Sequence, residues 1–123
     1  MKEEAKKWFE QAKKDIEAAE INHKQKIYYV ASLMSQQAAE KALKAFLIDK
    51  GLKIPKVHDL VFLARKADVE EYLFSKCDKL TQVYIESRYP TPGKEPFKRF
   101  DKENSKEHIL IAEEILKWVE ENI

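Results

Sequence analysis

The segment from Ser35 to Leu47 constrains the fold more than any other part of the chain. It consists almost wholly of Ala, Leu, Lys, Gln and Glu, the residues that lose least on entering a helix. Its apolar residues recur at steps of three and four, which places them on one helical face; they are Ala39, Ala42, Leu43, Phe46 and Leu47. We predict that this segment is the central helix of an all-helical bundle.

A polar row runs beside that apolar face, formed by Gln36, Gln37, Glu40, Lys41 and Lys44. The simplest interpretation is a solvated helix face in which Glu40 and Lys44 pair one turn apart. The alternative is a subunit interface or an anion contact, with Lys41 and Lys44 as cations. The pattern by itself leaves both open.

Composition limits the class of protein. The chain has 123 residues, of which 44% are hydrophobic and 37% charged, with only two glycines; this predicts a single globular helical domain over residues 1–123. The net charge of +1 neither favours nor opposes a nucleic-acid partner, so any basic site must be local. The charged N-terminus and the lack of a long apolar run predict a cytoplasmic protein with no membrane segment.

Several kinds of chemistry find no support in the sequence. The lone Cys77 excludes an intrachain disulfide, and its place on an apolar stripe predicts an inert core residue. The three histidines are isolated, and there is no glycine-rich phosphate loop, HExxH or CxxC motif. We therefore expect neither a metal nor a cofactor.

Periodicity and end signals predict five helices in an up-and-down bundle. Glycine and proline predict the end of the second helix at Gly51, and three prolines predict an irregular stretch over 89–96. The predicted helices span 3–21, 27–50, a short third helix from about His58 or Asp59, a fourth opened by an Asp68–Glu71 capping pair and reaching Arg88, and a fifth capped by Asn104 with Glu107.

The end of the fourth helix, Ser87-Arg88-Tyr89-Pro90, is the most informative candidate site. Arg88 follows Tyr84 by one turn and Leu80 by two, so we predict that it continues the inward face and must be paired or face an anion-binding cleft. Cations and rings alternate after it, as single-stranded RNA or nucleotide binding requires; they are Tyr89, Lys94, Phe97, Lys98, Arg99, Phe100 and Lys102. The alternative is an arginine pinned to a carboxylate of the last helix, with the loop rings packing it down.

Two histidines are secondary candidates. His58 precedes a helix, where it would either carry a proton or bind phosphate, or else cap the helix and pack. His108 lies near the apolar side of the last helix and is predicted to be a packing residue, of functional interest only if the fold brings it to Arg88.

Four marks in order resemble the HEPN family, the nucleotide-binding helical domains of higher eukaryotes and prokaryotes. They are Trp8 with Ala12 and Asp15, the run from Gln36 to Ala45, His58-Asp59-Leu60 and Ser87-Arg88-Tyr89-Pro90. The resemblance spans nearly the whole chain. It implies a five-helix bundle that forms homodimers and works with a small nucleotidyltransferase partner in a pair of the toxin–antitoxin type.

Many members of that family are metal-independent ribonucleases in which a histidine follows the arginine by four to six residues. Here Pro92, Gly93 and Lys94 occupy those positions, so the imidazole that would move a proton is missing. We expect a non-catalytic nucleotide- or RNA-binding module. The expected binding residues are Arg88, Tyr89, Lys98, Lys41, Lys44 and His58. A ribonuclease that uses Arg88 with His58 or His108, and a purely structural helical dimer, are the alternatives.

Overall fold

The fold is built around the second helix, as the alanine-rich segment predicts. The computed structural model describes residues 1–90 and 92–123, and over these it contains helices without any strand. The helices are α1 (Glu3–Lys24), α2 (Tyr28–Asp49), α3 (Leu60–Ala67), α4 (Glu71–Thr81), α5 (Val83–Glu86), α6 (Pro96–Arg99) and α7 (Lys102–Asn122). The prediction of an all-α bundle is confirmed; α4 and α5 together form the predicted fourth helix, and α6 is one additional turn.

α2 packs against every one of the other six helical segments. Four alanines with no exposed surface (Ala38, Ala39, Ala42, Ala45) let its neighbours approach closely. Large side chains fill the space beyond them: Leu43 and Leu47 of α2, Leu63 of α3, Leu73 and Leu80 of α4, and Ile115 and Val119 of α7 are fully or almost fully buried. Apolar burial between α2 and its neighbours is therefore what holds the bundle together.

The helix end predicted from glycine is confirmed, whereas the helix starts predicted from polar capping residues differ from the structure. Gly51 ends α2 with a φ of 74°, in the left-handed region predicted for it. The prediction that Asp68 and Glu71 form a capping pair is wrong, because Asp68 adopts left-handed φ and ends α3. Asp59, not His58, caps α3 by accepting from the backbone N–H groups of the next turn.

The prediction that Asn104 caps the last helix is also wrong, because the N-cap of α7 lies three residues earlier. Asp101 is the N-cap, and its carboxylate accepts from the Asn104 N–H at 2.8 Å. The Asn104 side chain accepts in turn from the Asp101 N–H at 2.8 Å, which completes a capping box. Asn104 is thus the inner member of the box instead of its first residue.

Arg88 lies beside the inward face of the fourth predicted helix instead of on it. α4 ends at Thr81, and Gln82 separates it from the single turn α5. The buried positions continue from Leu80 through Val83 to Ser87, which leaves Arg88 exposed. The prediction that Arg88 continues the inward face is wrong for this reason. In the irregular stretch that follows, Thr91 lies outside the described residues.

Candidate functional site

The polar row of α2 is mostly buried. Gln36, Glu40 and Lys44 are each at most 6% exposed, so the solvated-face interpretation is wrong. Lys44 Nζ lies 3.0 Å from Glu40 Oε2, which confirms the predicted pair one turn apart. The row is covered on one side by Trp8 of α1, whose ring centre is 5.9 Å from Lys44 Nζ. The segment before α3 covers the other side, since Gln36 Nε2 donates to the His58 carbonyl at 3.3 Å.

Glu40 connects this buried row to a histidine at the surface. His58 Nδ1 lies 3.0 Å from Glu40 Oε1, and Gln36 Nε2 donates to the same oxygen at 3.2 Å. The carboxylate thus has three partners: an ammonium, an amide and an imidazole. Because Nδ1 faces Glu40 and the His58 side chain is 49% exposed, the opposite edge of the imidazole is available to a ligand.

Tyr84 joins His58 to Arg88. The rings of His58 and Tyr84 stack with their centres 4.1 Å apart and their planes 12° from parallel. Arg88 Cζ lies 4.4 Å from the centre of the same tyrosine ring, a close cation–π contact. The five side chains Lys44, Glu40, His58, Tyr84 and Arg88 form a continuous ladder from a buried ammonium to an exposed guanidinium, which we call the Arg88 ladder.

Arg88 keeps its hydrogen-bonding capacity at the end of this ladder. Across residues 1–90 and 92–123, no carboxylate forms an ion pair with it, so the alternative of an arginine pinned to a carboxylate of the last helix is wrong. The contact with Tyr84 holds the guanidinium in place, and because Arg88 is exposed its N–H groups remain available at the surface. This arrangement suits recognition of an oxyanion such as phosphate.

Lys41 belongs to a second carboxylate cluster beside the ladder. Its Nζ lies 2.5 Å from Asp15 Oδ2, and Gln11 Nε2 donates to Asp15 Oδ1 at 2.9 Å. The Asp15 side chain is 4% exposed and that of Lys41 is 25% exposed. Lys41 therefore balances a buried charge of α1 and still reaches the surface.

The loop residues divide into structural and exposed groups. Arg99 Nη1 donates to the carbonyl oxygens of Glu86 and Tyr89, each at 3.0 Å, and so ties α6 to the end of α5. Phe100 is buried, whereas Tyr89 and Phe97 are exposed. Lys98 is exposed and pairs with Glu95 at 2.9 Å. Of the predicted rings and cations, five are exposed: Tyr89, Lys94, Phe97, Lys98 and Lys102.

His108 occupies the core side of α7. Its Nδ1 hydrogen-bonds the Ser32 hydroxyl at 2.7 Å, and its ring meets the edge of Phe100 with the centres 5.9 Å apart. Burial lowers the pKa of His108 below its ordinary value. These contacts are those of a packing residue, as predicted for His108. The histidine that the fold brings close to Arg88 is His58, through their shared contact with Tyr84.

Sequence reasoning missed the role of Tyr84, which it assigned to the inner face of the helix. The available signal was its position one turn before Arg88, the spacing at which an arginine stacks on a tyrosine in a helix. Within the described part of the chain, no group of three His, Cys, Asp or Glu side chains is placed to hold a metal ion. In the same residues, no helix combines the length and apolarity needed to span a membrane.

The family model of the HEPN domain matches residues 5–122. The chain belongs to the HEPN family. Among solved structures, it is similar to TT1696 from Thermus thermophilus, with 30% sequence identity, a TM-score of 0.90 and coverage of 97% of this chain and 98% of that one. It is also similar to ST0689, an archaeal HEPN homologue, with 30% identity, a TM-score of 0.84 and 98% coverage of both chains.

A third solved structure, the HEPN domain protein tm0613 from Thermotoga maritima, shares the fold, with 24% identity, a TM-score of 0.76 and coverage of 93% of this chain and 94% of that one. A comparison with functionally curated proteins gave no match. Family membership thus follows from the sequence match and the two structures at 30% identity.

Proposed function

We propose that this HEPN protein is a nucleotide- or RNA-binding module that dimerises and works with a small nucleotidyltransferase partner in a pair of the toxin–antitoxin type. The observation that carries the proposal is the Arg88 ladder, in which an exposed guanidinium, a tyrosine ring and a half-exposed imidazole are stacked in order. Phosphate, base and ribose are the ligand groups that such side chains recognise.

Each exposed residue of the candidate site has a role in this proposal. Arg88 donates two N–H groups to a phosphate, and Tyr89 stacks on a base. His58 uses the ring edge opposite Nδ1: when neutral, with Nδ1–H donating to Glu40, its Nε2 accepts from a ribose hydroxyl. Lys98 contributes as well, because its exposed pair with Glu95 contributes at most about 1 kcal/mol and yields readily to a phosphate.

Lys41 and Lys44 act in this proposal through the carboxylates they neutralise. Lys44 balances Glu40, which holds the His58 ring, and Lys41 balances Asp15. Without these cations, two buried carboxylates would repel a phosphate. Lys41 also reaches the surface, where it adds to the positive potential.

Binding is tested by titrating labelled single-stranded RNA and labelled nucleotide. The Arg88→Ala variant loses charge-assisted hydrogen bonds worth about 1.5–3 kcal/mol, so it should bind both ligands roughly 10- to 100-fold more weakly than the wild type. Arg65→Ala is the matched control, because Arg65 stacks on Phe74 with its Cζ 5.9 Å from the ring centre, between α3 and α4. We expect the control to bind like the wild type.

The melting temperature separates a binding role from a structural one. Arg88 is exposed, so Arg88→Ala should melt within a few degrees of the wild type. Equal weakening by both arginine variants would show unspecific charge attraction and contradict the proposal. The absence of saturable binding by the wild type, with or without its partner protein, would leave only the structural dimer.

A metal-independent ribonuclease is the second candidate, favoured by one observation: Arg88 and His58 contact the same tyrosine ring. The fold thus brings together an arginine and a histidine that lie 30 positions apart in the sequence, in place of the missing downstream histidine. Incubation of RNA with EDTA tests it. Cleavage that is lost in both Arg88→Ala and His58→Ala supports the enzyme, and intact RNA supports a binding module.

Dimerisation and partnership rest on family resemblance and need separate tests. Sedimentation equilibrium should give twice the 14.5 kDa chain mass. A nucleotidyltransferase encoded by a neighbouring gene should co-purify with this protein at a fixed stoichiometry. A monomer at micromolar concentration, or a neighbouring nucleotidyltransferase that elutes separately, would contradict the respective part of the proposal.

A further inference from the structure

A small cleft lies at the other end of the Arg88 ladder. Lys7, Trp8 and Gln11 of α1 and Lys41 of α2 line it, and its volume is about 260 Å³. The half-buried indole of Trp8 packs against the core, so the cleft has an aromatic wall with cations at its rim.

The side chains around Trp8 offer both charge and hydrogen bonds. Lys7 is exposed and, within residues 1–90 and 92–123, has no ion-pair partner. Lys41 neutralises Asp15 from the other side of the cleft. Gln11 donates its amide N–H to Asp15, and its amide oxygen remains as an acceptor. An aromatic plane, a free ammonium and an amide oxygen together fit a planar, hydrogen-bonding group attached to an anion.

A chain of side-chain contacts connects the wall of the cleft to the proposed phosphate site. Lys44 Nζ, the buried end of the Arg88 ladder, lies 5.9 Å from the centre of the Trp8 ring. From Lys44 the contacts continue through Glu40 to His58, with 3.0 Å between the polar atoms at each step. The His58 ring then stacks on Tyr84, with 4.1 Å between the ring centres, and Tyr84 contacts Arg88. Because Glu40 and Lys44 are buried, a ligand that touches both ends must cross the surface above them, which suits a strand of several nucleotides better than a single one.

We propose that the Trp8 cleft is a second base-binding subsite for single-stranded RNA, in which a base stacks on the indole and the adjoining phosphate pairs with Lys7. This inference rests on the proposed function, since it takes the strand to be held by Arg88 at its other end. The subsite is tolerant of base identity, because stacking requires only a planar ring.

An oligonucleotide length series tests the subsite. Uridine monophosphate and oligouridylates of two to six nucleotides are titrated against wild type, Trp8→Phe and Trp8→Leu. Stacking on an aromatic ring is worth about 1–3 kcal/mol per base, so Trp8→Leu should bind the hexamer roughly 5- to 100-fold more weakly. The monophosphate, held at Arg88, should bind all three proteins equally, and Trp8→Phe should retain most of the hexamer affinity.

Fluorescence and salt dependence give readouts that a purely structural role would not change. The chain has two tryptophans, of which Trp118 is buried, so the hexamer should quench wild-type emission and leave Trp8→Phe unquenched. Lys7→Ala should reduce the slope of log affinity against log salt by about 0.7. Lys14→Ala is the control on the same helix, since Lys14 pairs with Glu17 at 3.2 Å.

The outcomes separate this inference from the proposed function. If Arg88→Ala weakens hexamer binding but Trp8→Leu and Lys7→Ala bind like the wild type without quenching, the subsite is refuted and the Arg88 site stands. If the wild type binds neither the monophosphate nor any oligomer, the proposed function itself fails. Should Trp8→Leu misfold, the quenching and Lys7→Ala results decide.

Discussion

The buried pair of Glu40 and Lys44 provides the sharpest test of how the ladder is held. The two side chains are 6% and 8% exposed, and their charged atoms are 3.0 Å apart. Glu40→Gln keeps the shape and removes the charge, which leaves the Lys44 ammonium buried without a counter-ion. Breaking a buried pair in this way costs about 3–5 kcal/mol.

That loss corresponds to a decrease of roughly 10–25 °C in melting temperature for a domain of this size. The free energy of unfolding is measured by urea titration at neutral pH, with the fitted m-value checked for two-state behaviour. A second variant, Glu40→Gln with Lys44→Met, removes both charges. It should recover most of the lost stability, because the unpaired ammonium is gone.

Glu114→Gln is the matched control. Lys76 Nζ lies 2.6 Å from Glu114 Oε2, closer than the atoms of the buried pair, but these side chains are 37% and 43% exposed. Water screens such a pair, so its loss should cost about 1 kcal/mol or less. Equal losses in Glu40→Gln and Glu114→Gln, or a double variant no more stable than Glu40→Gln alone, would refute the reasoning from burial.

Four further predictions concern single residues. Burial lowers the pKa of His108 from its ordinary value of 6.5. The neutral imidazole therefore stabilises the fold fully above pH 6.5, and this stabilisation is lost as the pH falls toward the lowered pKa. Between about pH 7.5 and 5, the urea midpoint should fall more for the wild type than for His108→Asn. Burial raises the pKa of Cys77 to about 12, so a thiol reagent should modify it in urea but not in the native protein, and rapid native labelling would contradict this. Asp101→Ala removes the α7 cap and should cost about 1 kcal/mol in urea unfolding, whereas Asp101→Ser should cost little. Gly51→Ala forces a side chain into left-handed φ and should cost about 1 kcal/mol by the same measurement, and a stability equal to wild type would show that the turn relaxes.

The sequence alone determined the helical architecture and the family. Helix propensity and three-to-four spacing act over a few residues, so the central position of α2 and its end at Gly51 were predictable from local pattern. The pairing of Glu40 with Lys44 was predictable for the same reason, because both partners lie one turn apart on one helix.

Tertiary structure alone decided the environment of the candidate site. The polar row of α2 is buried because Trp8 and the segment at His58, both distant in sequence, cover it. Arg88 lies at the surface because Leu80, Val83 and Ser87 are the positions that pack inward, and its spacing from Leu80 and Tyr84 does not by itself reveal which of two neighbouring rows is buried. Contacts between distant segments depend on how helices pack around a shared core, whereas the sequence pattern records only which face each helix turns toward that core.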